Sequence, residues 1–255
     1  MADHVRTIGV GVIGTGFIGK AHSIAYSAVS SVFGTGLRPT LEIVCDLSPE
    51  RAADRAADLG FDRYTDQWQQ LIDDSDVELI SICAPNALHR DISIAALAAG
   101  KHVWCEKPMA MSLTDAEDMV TAARSSSRKT IVGYNYIKNP AVTHAQRLIS
   151  DGMIGRITGF HGRYDVDNEA DENQPYSWRL SRDRSGTGAI ADILSHLLSV
   201  AHFITNSEVR NVVADVDVVH RQRPDPTNPS LSREVDNDDT VAALIHFANG
   251  AHGTL

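Results

Sequence analysis

The chain has 255 residues, of which 43% are hydrophobic and 22% charged, a composition that excludes general disorder and is enough for one large domain or two modest ones with a sizeable core. The formal net charge of -10 opposes long-range attraction to phosphate backbones, so no nucleic-acid partner is expected. No apolar run of the roughly 18 residues that a membrane span needs is expected, and the opening residues Met1–Thr7 lack an apolar signal core, which together point to a cytoplasmic protein with no membrane partner.

From Thr7 to Gly133 apolar strand patterns alternate with helical ones. Strands are expected over Ile8–Ile13, Leu41–Cys45, Leu79–Cys83, His102–Cys105 and Thr130–Gly133, each apolar on both faces, as parallel strands covered by helices should be. Helices are expected over Gly16–Val29, Pro49–Leu59, Asp66–Ile72, Leu88–Ala99 and Leu113–Ser125, with a further one at Pro140–Ser150 leading out. This rhythm predicts an α/β fold with a Rossmann-type doubly wound parallel sheet. Cys45, Cys83 and Cys105 each end a strand and form no C-x-x-C pair, which reads as core packing under reducing conditions.

Beyond a boundary near Asn135 the rhythm changes. A strand is expected at Arg156–Val166, a polar loop at Asn168–Gly186, an apolar helix at Thr187–Ile204, and strands at Val209–Val219 and Thr240–Phe247 around a loop with Pro224, Pro226 and Pro229. That order predicts an α+β domain with an open, mainly antiparallel sheet over 135–255, after a dinucleotide-binding domain over 1–134. Asn249-Gly250 reads as a hairpin turn whose second strand has barely begun, so the second domain is expected to be incomplete at its C-terminal end.

Gly14-Thr15-Gly16-Phe17-Ile18-Gly19 stands between the first strand and the first helix. In that position G-x-G-x-x-G forms a tight turn at Gly14, lets backbone approach a pyrophosphate at Gly16, and packs helix on strand at Gly19, with the phosphate charge at the helix N-terminus. Asp46 follows the second strand, where a carboxylate binds ribose hydroxyls and repels a 2′-phosphate; NAD is therefore expected over NADP. Two alternatives stay open: Asp46 serves only the helix start near Pro49, or Arg51 reaches the ribose and softens the discrimination.

Three further segments carry a resemblance. They are Ala84-Pro85-Asn86-Ala87-Leu88-His89, Gly100-Lys101-His102-Val103-Trp104-Cys105-Glu106-Lys107-Pro108, and Gly188-Ala189-Ile190-Ala191-Asp192-Ile193-Leu194-Ser195-His196. With the glycine loop, they make the chain resemble the Gfo/Idh/MocA family, the group that includes glucose–fructose oxidoreductase and inositol dehydrogenase. The resemblance implies an NAD-dependent oxidoreductase acting on a hydroxyl-bearing carbon of a sugar, inositol or related polyol. It implies cofactor contacts from the glycine loop, Asp46, Ala84, Pro85, Asn86, His89, Glu106 and Lys107. Lys107 matches the family's lysine, and Asp192 and His196 match its acid–histidine pair. Association into a homo-oligomer through the open sheet is also implied.

The residues themselves suit that chemistry. A lysine at the carboxyl end of a parallel strand lies on the ligand edge of such sheets and can stabilise an alkoxide; a surface lysine would look the same in sequence. Asp192 and His196 are neighbours on one face of an otherwise apolar helix, where a polar pair needs partners or a function. His196 would be the general base, Asp192 would orient it or contact substrate, and Lys107 would polarise the oxygen, unless acid–base work passes to Lys107. In the polar loop, Trp178 could stack on a sugar ring and Arg179 clamp hydroxyls, while Tyr164 and Asp165 just before it point to opposite faces of a strand; packing or solvation would explain each equally well. No metal-ligand spacing occurs among the histidines and cysteines, so no metal is expected. Lys107-Pro108 is expected to be cis. Two other functions stay open: a glycosidase of the same family that oxidises its substrate transiently with bound NAD, and a non-catalytic NAD-sensing regulator.

Overall fold

The computed structural model describes residues 5–167 and 169–255, so the opening residues Met1–His4 and the loop residue Asn168 lie outside the described part. The chain divides into two compact units, Met1–Gly133 and Tyr134–Leu255.

The first unit is the expected parallel sheet. Strands β1 (Arg6–Ile13), β2 (Leu37–Cys45), β3 (Arg63–Thr65), β4 (Leu79–Ile82), β5 (His102–Cys105) and β6 (Thr130–Val132) lie in the order β3-β2-β1-β4-β5-β6. Every pair is parallel. Helices α1 (Phe17–Phe33), α2 (Pro49–Leu59), α3 (Trp68–Asp73), α4 (His89–Ala98) and α5 (Leu113–Ser125) are the crossovers. Two apolar clusters result, one around Ile80, Ile82, Ile92 and Val103 and one around Val10, Val12, Tyr26 and Val44, because both sheet faces are covered. Local chemistry sets the helix ends. The Ser48 side chain caps α2 ahead of Pro49, and Gly60 closes it in the left-handed region. The expectations missed β3, which at three residues is too short to show a period.

The second unit holds α6 (Pro140–Ser150), a short α7 (Arg182–Ser185), a π-turn at Ile190–Leu194, and α8 (Ser195–Thr205). Its main sheet contains β7 (Gly159–His161), β8 (Val209–Asp217), β11 (Thr240–Phe247) and β12 (His252–Thr254), ordered β7-β12-β11-β8. β11 is antiparallel to both neighbours, and only β7–β12 is parallel. Ala201 of α8 packs on Ala243, Ile245 and Phe247 of β11. Gly250, at φ 88°, makes the expected turn into β12.

Three expectations need correction here. The strand expected at Arg156–Val166 is limited to β7 (Gly159–His161), which pairs with β12 over three residues. The proline-bearing loop folds into a hairpin of its own, β9 (Gln222–Pro224) with β10 (Ser232–Glu234). The segment Arg182–Thr205 is long and apolar enough to cross a membrane by length and composition, contrary to the expectation; yet it carries buried Ser185, His196 and Thr205, and Ala201 sits in the sheet core.

Candidate active site

The glycine loop has the division of labour that the motif requires. Gly14 adopts φ 87°, and a Cβ there would stand 2.6 Å from Cys83 O. A Cβ on Gly19 would stand 1.9 Å from Gly14 O. Gly16 differs: a Cβ there would meet nothing within 4 Å. Gly16 is also the N-cap of α1 and brings no capping side chain to the first helical N–H groups, beside which Phe17 is 85% exposed and Ile18 half-buried. The loop thus presents bare backbone donors and open space, which fits a pyrophosphate.

Asp46 is buried at the end of β2. Its Oδ2 accepts the Thr15 N–H at 3.0 Å and the Thr15 hydroxyl; its Oδ1 accepts the Leu47 N–H at 2.7 Å and lies 2.8 Å from Arg51 Nε. Burial alone would raise its pKa, but the Thr15 hydroxyl, the two N–H groups and the guanidinium outweigh it and hold the carboxyl below its ordinary range. It is therefore ionised where the adenosine ribose of a dinucleotide would be recognised. Arg51 has moved from an alternative in the sequence to a direct partner of Asp46.

The Ala84–His89 and Glu106–Pro108 segments are tied together. His89 is fully buried, with Nδ1 2.8 Å from Pro108 O and Nε2 2.9 Å from Ala84 O. This corrects the expected cofactor contact: both ring nitrogens are spent on backbone carbonyls, so His89 clamps the two loops instead. Burial lowers its pKa against the pull of those carbonyls. Pro85 O accepts the Leu88 N–H, which opens a short helical turn at Asn86–Leu88 with Asn86 buried. Lys107-Pro108 is cis, as expected. Among the cysteines, burial pushes the thiols of Cys45 and Cys105 up to about 12, and that of Cys83 up as well, in keeping with unreactive packing.

In the second unit, Asp192 lies in the π-turn and His196 in the first turn of α8. A π-turn carries more than four residues, so this pair stays on one face. His196 is 6% exposed, and the ring of Tyr136 stacks on it at 4.1 Å and 18°. Tyr134 meets it edge-on at 6.0 Å. The Tyr136 hydroxyl lies 2.6 Å from that of Tyr164. That bond first, then burial and the nearby Tyr164 and Asp192, push the Tyr136 phenol up to about 12. The sequence reading missed Tyr136; its only signal is the Tyr134-Asn135-Tyr136 spacing after β6.

The expected substrate residues fare unequally. Tyr164 joins Tyr136, but it lies beyond β7, so the argument from strand alternation does not apply to it. Asp165 is exposed and pairs with Arg163 at 2.6 Å. Arg179 lies over the Trp178 ring at 4.7 Å and covers one face of the indole. The loop is held from behind by the β9–β10 hairpin. Buried Arg223 donates to the carbonyls of Glu169 and Asp171, and Tyr176 N–H donates to Pro224 O at 2.8 Å. Asp238 caps the approach to α8, accepting N–H bonds from Gly188 and Ile190, both at 2.8 Å. Glu169 is held above its ordinary carboxylate range by burial, with Arg223 and Arg179 opposing. Among the described residues, no group of three His, Cys, Asp or Glu side chains could hold a metal ion.

Comparison with known proteins covers both units. Residues 8–134 match the family model described as "Oxidoreductase family, NAD-binding Rossmann fold", and residues 142–255 match the "GFO/IDH/MocA C-terminal domain". The chain is 38% identical to the levoglucosan dehydrogenase of Pseudarthrobacter phenanthrenivorans, over 98% of this chain and 67% of that protein. It is 28% identical to the inositol 2-dehydrogenase of Salmonella typhimurium, over 81% of this chain and 57% of the relative. A solved levoglucosan dehydrogenase in complex with NADH and levoglucosan superposes with a TM-score of 0.92 at 39% identity, covering 98% of this chain and 66% of that one. An oxidoreductase domain protein from Kribbella flavida superposes at 0.94 with 35% identity, over 98% and 66%. The chain thus spans about two thirds of the length of these structures. Its glycine loop, its Glu106-Lys107-Pro108 turn and its Asp192–His196 helix follow one another on this matched framework, and the chain belongs to the Gfo/Idh/MocA family of oxidoreductases.

Proposed function

We propose that the chain is the cofactor-binding and catalytic part of an NAD-dependent dehydrogenase that oxidises a secondary hydroxyl of a sugar, inositol or related polyol, or reduces the matching ketone. The observation that carries this reading is the buried His196, stacked on Tyr136 beside Asp192, in a chain whose glycine loop opens Gly16 to a ligand. Bound NAD supplies the hydride acceptor. The Gly14–Gly19 backbone holds the phosphates and Asp46 takes the ribose hydroxyls. Lys107 donates to the substrate oxygen and stabilises its developing negative charge. His196 takes the hydroxyl proton at an in-plane nitrogen, and Asp192 orients the imidazole or holds a neighbouring hydroxyl. Arg179 and Trp178 contact the sugar ring.

The similar proteins act, by their names, on levoglucosan and inositol, which supports a cyclic polyol as substrate class. We place the protein in the cytoplasm, as a homo-oligomer formed through the open sheet; the exposed Val213 and Leu244, paired across β8 and β11 on the face opposite buried Ile245, support an association face. Light scattering that gives a monomer would overturn that assembly. Activity is tested by NADH absorbance with levoglucosan, inositol and a panel of sugars. His196→Ala should lower turnover by roughly 10²–10⁴ and leave NAD affinity almost unchanged. Normal turnover in both His196→Ala and Lys107→Ala would overturn the assignment.

A further inference from the structure

Behind the Lys107 turn, the first unit holds a buried polar chain that runs from Glu106 through His22, Ser81 and Tyr26, three residues the functions above leave unused. His22 of α1 places Nδ1 2.7 Å from Ser81 Oγ and Nε2 3.0 Å from Glu106 Oε1. The His22 and Glu106 side chains are only 11% and 12% exposed. The second carboxylate oxygen, Oε2, accepts the Lys107 N–H at 3.3 Å. Ser81 Oγ also lies 3.2 Å from the Tyr26 hydroxyl. The Trp104 ring packs on His22, 4.6 Å between centroids, and closes the chain from the side.

Both ring nitrogens of His22 are thus answered, one by a hydroxyl and one by a carboxylate, and Ser81 Oγ links the chain on to Tyr26, whose phenol burial pushes up to about 12. A histidine, a serine and a carboxylate in a core are costly, and an apolar set beside Trp104 would pack without that cost. The fold also reserves room for the carboxylate: a Cβ on Gly133 would stand 2.2 Å from Glu106 Oε1. On the far side of the turn, His89 holds the Pro108 carbonyl. The backbone is therefore gripped immediately before and after Lys107, and the first grip runs to α1, the helix whose N-terminus forms the phosphate cradle.

We propose that His22 is a positioning residue for Lys107: it holds the Glu106 carboxylate, the carboxylate holds the Lys107 peptide, and α1 thereby couples the phosphate cradle to the aim of the lysine. The proposal rests on the reading of Lys107 as the group that polarises the substrate oxygen. The test uses the full chain as wild type, His22→Ala, His22→Gln, Lys107→Ala and the His22→Ala/Lys107→Ala double variant. Amide exchange at Lys107 is followed without ligand, NAD affinity by titration, and turnover with levoglucosan and inositol. His22→Ala should speed exchange of the Lys107 amide and cut turnover by on the order of tenfold to a hundredfold, as a misplacement of about 1 Å does, with NAD affinity nearly unchanged. Gln offers a side-chain N–H to Glu106, so His22→Gln should restore most of both readouts. In the Lys107→Ala background, His22→Ala should cost nothing more. If Lys107→Ala turns over normally, the reading of Lys107 fails, and the grip of His22 on the turn is judged by the exchange data alone. Unchanged protection of the Lys107 amide in His22→Ala would overturn the proposal. So would a Gln variant no better than Ala, or a His22 effect that persists in full without Lys107.

Discussion

Replacing Arg223 with Met tests whether the β9–β10 hairpin shapes the loop that carries Trp178 and Arg179. Arg223 is 1% exposed; its two terminal nitrogens donate to the carbonyls of Glu169 and Asp171, and Nη2 lies 4.0 Å from Glu169 Oε2. Hydrogen bonds from a charged donor contribute about 1.5–3 kcal/mol each, so two give a gross loss of about 3–6 kcal/mol. Met recovers apolar contact along the stem and removes the cost of burying a guanidinium, and the exposed Asp171 can turn its carbonyl to water. A net loss of about 2–3 kcal/mol remains, which for a chain of this size lowers Tm by roughly 4–12 °C. The other ties on residues 169–176 are weaker, among them His220 Nε2 to Ala170 O at 3.1 Å, Tyr176 N–H to Pro224 O, and Arg233 over the Tyr176 ring at 5.5 Å. Local opening should therefore precede global unfolding, with faster proteolysis between Glu169 and Tyr176 and a substrate KM that rises more than kcat falls. Scanning calorimetry, limited proteolysis and steady-state kinetics give the three readouts. A variant with wild-type Tm, proteolysis and KM would refute the clasp and leave Arg223 as a tolerated buried charge.

Other substitutions separate binding from folding. Gly16→Ala should melt like the wild type yet lose NAD affinity in titration, whereas Gly14→Ala and Gly19→Ala should lower Tm sharply, because their Cβ atoms would strike backbone oxygens. Asp46→Ser should weaken NAD and shrink its advantage over NADP, since a carboxylate no longer faces the ribose and Arg51 no longer answers it; tighter NAD discrimination in competitive titration would contradict this. The Asp46 pKa is depressed on folding, so its contribution to stability is complete above about pH 4 and fades as pH falls through the lower folded value. Acid titration of wild type against Asp46→Ser should show that difference only on the acid side. Asp238→Ala removes a buried acceptor from two N–H groups ahead of α8, and should cost about 1–2 kcal/mol in denaturant unfolding.

The first unit was legible because its information is local. Apolar runs, Ser48 before Pro49, and G-x-G-x-x-G between a strand and a helix each specify a conformation within a few residues, and the parallel order follows from the alternation. The cis Lys107-Pro108 bond was expected on the same local grounds. The second unit was harder to read. β7 pairs with a partner ninety residues away in sequence, and β9–β10 is too short and proline-marked to show a period.

For the site, spacing by itself determined the dinucleotide loop and the acid after β2, whereas the lysine after β5 and the acid–histidine pair were assigned to a site by the resemblance. They did not determine what each would touch. His89 was expected to meet a ligand, and the fold spent both its ring nitrogens on backbone carbonyls. His22 and Arg223 carried no sequence signal and Tyr136 only its spacing from Tyr134, and the fold gave them partners at Glu106, the 169–171 backbone and His196. The reason is physical: a side chain's type is a property of its position, but its partners are set by long-range packing, which brings together groups as far apart as His22 and Glu106 and buries them where each polar atom must be answered.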